Sequence, residues 1–193
     1  MTLPILSYGH SILRQPCHEI DRDYPALDVL IDNMWKTLYG ANGCGLAAPQ
    51  VNLPIRLFLV DSQTTYENLN IEERKELFSG DTGIKEVFIN AQITEKSDEM
   101  WMDTEGCLSI PTLAEEVKRP WSITITYYDR QFQKHTKTFS GATARMIQHE
   151  FDHTEGILYL DYLQPIRRTL LKNKLKKIVA GKVKVKYPMK FLK

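Results

Sequence analysis

The segment Gln148-His149-Glu150-Phe151-Asp152-His153 limits the folds open to this 193-residue chain more than any other. Two histidines four residues apart stand on one face of an α-helix, so both rings can reach a single ion. Glu150 lies beside the first of them, where its carboxylate can hydrogen-bond a water on that ion without itself being a ligand. The helix is expected to run from Gly141 through Ala142, Met146, His149 and His153 to Gly156. Ala142 and Met146 share the stripe of the two histidines, so this face should be buried. The rest of the chain must therefore fold around a polar, ion-binding helix face.

Two histidines leave such a site one ligand short, because a catalytic ion usually keeps three protein ligands and one open position. Downstream, Glu155 follows too closely behind His153, no further His occurs, and Asp161 is the nearest alternative. Upstream, Glu105-Gly106-Cys107-Leu108-Ser109 offers a thiolate on a chain that Gly106 lets bend, and a thiolate is a strong, charge-donating ligand. Cys107 is the better third ligand. One thiolate and two imidazoles suit Zn²⁺, Fe²⁺, Ni²⁺ or Co²⁺.

Elsewhere the pattern reads as a mixture of helices and antiparallel strands. Leu27, Leu30, Ile31, Met34, Trp35 and Leu38 give an apolar face to a helix over 24–39, with Asp23 as its cap and Gly40 at its exit. Gly43 to Gln50 holds too much Gly and Pro for a helix or central strand and reads as a shaped loop. Ile55 to Val60, Val87 to Ile89 and Met100 to Thr104 read as strands, and Trp121 to Tyr128 with Phe132 to Phe139 as a hairpin. Ser62 to Lys85 reads as a surface insertion without chemistry of its own, carrying a short helix at 71–78. A last helix follows Pro165, with Ile166, Leu170, Leu171, Ile178 and Val179 inward. Residues 182–187 alternate Lys with Val or Tyr, as an edge strand would. The expected class is α+β, with mainly antiparallel sheets packed around a central metal-binding helix and residues 1–193 as one domain.

A net charge of +1 gives no global attraction to DNA or acidic substrates. The charge is nevertheless uneven: from Tyr162 to Lys193 there are eleven Lys or Arg residues and no Asp or Glu. That stretch is either a solvated face or a contact with a polyanionic surface. Three cysteines cannot all pair within one molecule, and Cys17 is read as ordinary packing. The opening residues lack a signal-peptide pattern and no run approaches the ~18 apolar residues of a membrane span. A cytoplasmic protein with reduced thiols is expected.

Three segments together resemble peptide deformylase: GCGLAAPQ at Gly43 to Gln50, EGCLS at Glu105 to Ser109, and QHEFDH at Gln148 to His153. The YGHSILR opening and Val117-Lys118-Arg119-Pro120 extend the likeness, while the 62–85 insertion and the C-terminal end depart from it. The resemblance implies a single catalytic domain that hydrolyses the formyl group from the N-terminal formylmethionine of new polypeptides, releasing formate. It implies Fe²⁺ on Cys107, His149 and His153, with Glu150 as general base. It also implies that the Gln50 side-chain amide and the Leu108 backbone N–H donate to the developing oxyanion, and that the Gly45 backbone binds substrate. Gln50 could instead serve only to tie its loop down. Ala142, Met146 and Cys44 are expected walls of a methionine pocket, and the basic tail is a candidate contact with the ribosome.

Overall fold

Residues that alternate inward and outward every second position build most of the framework. The computed structural model describes residues 1–78 and 80–192. Its elements are β1 (Ile5–Leu6), α1 (Leu27–Gly40), β2 (Gly45–Ala47), β3 (Leu57–Asp61), α2 (Ser62–Asn68), α3 (Ile71–Phe78) and β4 (Lys85–Lys96). They continue as β5 (Met100–Cys107), β6 (Ile110–Pro120), β7 (Ser122–Tyr128), β8 (Lys134–Ser140), α4 (Gly141–Thr154), α5 (Pro165–Val179) and β9 (Met189–Lys190). One sheet runs β2-β3-β4-β7-β8, with every neighbouring pair antiparallel. β5 and β6 form a separate antiparallel ribbon, and β1 pairs with β9 in parallel. The α+β architecture with mainly antiparallel pairing is as the sequence indicates.

α4 crosses the sheet against β2 and β3, with α2 and α3 beside it. Ala144 and Ile147 of α4 are fully buried with Ala47, Phe58, Val60, Phe88, Ile123 and Ile125 of the sheet. The opposite stripe, carrying the two histidines, is left for polar chemistry. Gly141 opens the helix at φ +57°, and a Cβ there would lie 2.1 Å from the Leu77 carbonyl oxygen. Only glycine lets α3 press so closely on the start of α4.

Several sequence expectations need correction. α1 starts at Leu27 behind Ala26 in the left-handed region, so Asp23 is not its cap. Gly45–Ala47 is a strand, tolerated because β2 is the edge of its sheet and pairs on one side only. The local sequence pattern does not announce β6. Its inward positions are Leu113, Glu115, Val117 and Arg119, so charged residues interrupt the hydrophobic alternation that marks a strand. On α5, Leu171 and Ile178 are buried, whereas Ile166 and Leu170 face solvent. Residues 182–187 form no strand; the pairing begins at Met189, which joins Ile5 of β1. Among the described residues, no helix is long and apolar enough to cross a membrane.

Candidate metal centre

The β5–β6 hairpin and α4 bring the two halves of the site together. Cys107 is the last residue of β5 and pairs with Ile110, so Leu108 and Ser109 form the turn between them. The Cys107 sulfur lies 3.3 Å from His153 Nε2. Sγ and one ring nitrogen from each of His149 and His153 all lie within 4.8 Å of one another. Asp161, the alternative ligand, instead pairs with Arg14 at 2.5 Å and caps the Leu158 N–H at 2.9 Å.

Glu105 organises the surroundings. Its Oε2 lies 2.9 Å from His149 Nδ1, which makes Nδ1 the protonated nitrogen and leaves Nε2 as the ring's free donor atom. The same carboxylate receives a fork from Arg119 at 2.6 and 2.9 Å and a further bond from Arg145 at 2.6 Å. Arg119 also donates to Asp152 at 2.8 Å, and Asp152 accepts from the Tyr162 hydroxyl. Burial raises the Glu105 carboxyl, but the His149 bond and the Arg119 guanidinium outweigh it and hold it well below the usual carboxylate range. Removing one member of so buried a network typically costs about 3–5 kcal/mol, because it strands the remaining charge. No local pattern marks Arg119 and Arg145 as parts of the site, apart from Arg119's place in the Val117 to Pro120 stretch.

The donor set fits a divalent cation on three observations. A soft thiolate and two imidazoles converge, which suits first-row metals. A carboxylate buttresses one imidazole, as it does for most metal-bound histidines. Glu150 is 5% exposed, and its Oε2 is buried with no hydrogen-bond partner, although His149, Glu105 and Arg119 are near enough to act on its charge. Such an orphaned acceptor is costly unless something polar comes to meet it. Burial pushes the Glu150 carboxyl up to about 7.

Gly45 stands directly against this carboxylate. A Cβ on Gly45 would lie 2.5 Å from Glu150 Oε1 and 2.6 Å from its Cγ. Gln50, only 1% exposed, accepts from the Ala47 N–H at 2.8 Å through Oε1. That bond fixes the amide's orientation, because an N–H needs an oxygen, and so aims Nε2 at Ser109 Oγ (3.2 Å) and the Cys107 sulfur (3.6 Å). One end of Gln50 ties the turn after β2; the other reaches the site.

Gly45, Gln50, Cys107, His149 and Glu150 line a cavity of about 920 Å³. Cys44, Ala142 and Met146, the expected methionine-pocket walls, all border it. Cys44 opens onto the cavity, yet the surrounding walls desolvate its thiol and push it up to about 11. Thr64, Thr65 and Asn68 of α2 border the cavity too, so the 62–85 segment is more than a surface insertion. So do residues 184–187. Cys17 is buried packing, as expected.

The sequence pattern of the polypeptide deformylase family matches residues 2–169. The chain belongs to this family. It is 48% identical over 191 residues to the peptide deformylase of Christiangramia forsetii, covering 99% of this chain and 96% of that one. With the peptide deformylase of Flavobacterium psychrophilum it shares 46% over 192 residues, 100% and 98% of the two chains. Among solved structures, the Ehrlichia chaffeensis peptide deformylase superposes with a TM-score of 0.81 at 28% identity, covering 94% of this chain and 99% of that one. The Plasmodium falciparum peptide deformylase gives 0.78 at 32%, covering 92% and 95%. Membership in the deformylase family makes the chain a metal-dependent hydrolase that takes the N-terminal formyl group from formylmethionine and releases formate. The α+β fold agrees with that of the solved deformylases.

Proposed function

We propose that Cys107, His149 and His153 hold the single divalent cation of this deformylase, and that residues 1–193 act as one catalytic unit around it. The observation that carries this reading is the 3.3 Å approach of the Cys107 sulfur to His153, in a chain where 46 residues separate them. When bound, the cation would lower the pKa of a water and polarise the formyl oxygen. Fe²⁺ is the proposed native ion, with Zn²⁺, Ni²⁺ and Co²⁺ as fitting substitutes.

Glu150 acts as the general base. Its carboxylate accepts a proton from the water that attacks the formyl carbon and later delivers that proton to the departing amine nitrogen. The C–N bond breaks, and formate and the free methionine amine are the products. As the formyl carbon becomes tetrahedral, Gln50 Nε2 and the Leu108 N–H donate to the oxygen that gains charge. The Gly45 backbone binds the peptide along the edge of β2, where the chain pairs only with β3. The methionine side chain enters among Cys44, Ala142 and Met146.

Formate release from a formyl-Met peptide by anaerobically purified protein tests the proposal. Activity is expected with the formylated peptide, none with internal bonds of an unblocked one, and the iron form should lose activity in air while a nickel-substituted form keeps it. Equal half-lives of the iron form with and without oxygen would refute iron as the native ion.

The basic C-terminal region is proposed to dock on the ribosome in the cytoplasm, where formylated chains emerge. Arg168, Lys172, Lys174, Lys176 and Lys177 of α5 are exposed, whereas Arg167 is already held by Glu115 at 2.5 and 2.9 Å. Binding of the protein to purified ribosomes should weaken steeply between 50 and 200 mM salt, roughly in proportion to the phosphates contacted. Salt-independent binding would refute the contact.

A further inference from the structure

The C-terminal segment folds back over the catalytic turn. Tyr187 donates its hydroxyl to the Leu108 carbonyl oxygen at 2.7 Å. Its half-buried ring packs on the core around α1, together with Leu108 itself. The residues after it are anchored: the Ile5 N–H donates to Pro188 O at 2.9 Å, the Ser7 N–H donates to Lys190 O at 3.0 Å, and Met189–Lys190 pairs with β1. From the same side, the Tyr8 N–H donates to the Ser109 carbonyl at 2.7 Å. The two-residue turn is thus gripped from outside by both chain ends, and from inside by Gln50 on Ser109.

A two-residue turn has few ways to fix its own peptide planes. The Leu108 N–H lies in the peptide plane before its Cα and the Leu108 carbonyl in the plane after it, so anchoring that carbonyl limits the φ and ψ changes by which the N–H could turn. We infer that Tyr187 is a positioning residue for the deformylation reaction, its hydroxyl holding the Leu108 carbonyl so that the Leu108 N–H stays aimed at the developing oxyanion. The inference rests on the proposed role of that N–H. It also gives a task to the part of the chain where an edge strand was expected.

Tyr187→Phe removes the hydroxyl and keeps the ring. Its kcat for a formyl-Met peptide should fall about tenfold, with KM within twofold and metal content unchanged. The decisive arm replaces Leu108 by its α-hydroxy acid, which turns the amide N–H into an ester oxygen. That change should lower kcat by about 10²–10³. Adding Tyr187→Phe to the ester should then cost less than twofold, because a positioning residue has nothing left to position. A purely structural Tyr187 would give additive losses, and a Tyr187→Phe enzyme with unchanged kcat would overturn the inference while leaving the oxyanion role intact. An ester enzyme with full kcat would instead overturn that role, and the inference with it.

Discussion

Glu150→Gln is expected to lower kcat by about 10²–10⁴, the usual contribution of a positioned general base. The amide keeps the volume and shape of the carboxylate but cannot take a proton. Metal content should stay at one ion per chain, since Glu150 is outside the proposed ligand group, and KM should change little. Stability should not fall. The carboxylate is buried with one oxygen unpaired, and a neutral amide is less costly to bury there. Steady-state formate release, metal analysis and thermal unfolding check the three statements, and retention of most of the turnover would remove Glu150 from the reaction.

Gly45→Ala is the second large effect, expected at about 10²-fold in kcat. The new methyl would lie within 2.7 Å of three Glu150 atoms, closer than Cβ atoms approach. Gly45 cannot retreat, because β2 is paired with β3 through Gly45 and Val60. The Glu150 carboxylate must therefore move, and if it is the base, a displacement near 1 Å is enough for a loss of that size. Adding the same methyl to Glu150→Ala should cost little stability, since the colliding side chain is then gone. Comparing thermal unfolding of Gly45→Ala in the two backgrounds separates this collision from a general loss of folding. A fully active Gly45→Ala enzyme would show that the methyl does not displace Glu150 from its working position.

The proposed ligands were legible because each carries its own local signal. The i, i+4 histidines need only a helix, and Cys107 sits in a short motif beside a glycine. α1, α4 and β7 were readable because their apolar periods are strong, whereas α5 carries no clean inward stripe and only Leu171 and Ile178 of its expected face are buried. What stayed hidden depends on distant partners. Glu115 and Arg119 point inward on β6 because Arg167 and Glu105 wait for them there, and no local pattern announces a buried charge. Arg145 looks like an ordinary helix residue until Glu105, 40 positions away, accepts from it. The Lys-Val alternation after residue 181 has the period of a strand, yet no neighbouring strand is available until Met189 meets β1. The segment is spent on the cavity wall and on the Leu108 carbonyl instead.

X-ray absorption on the zinc-loaded protein tests the shared cation most directly. The predicted shell holds one sulfur at about 2.3 Å and two imidazole nitrogens at about 2.0–2.1 Å, with the sulfur missing from any zinc retained by Cys107→Ser. A shell without sulfur in the unsubstituted protein, or a sulfur that survives Cys107→Ser, would contradict the account.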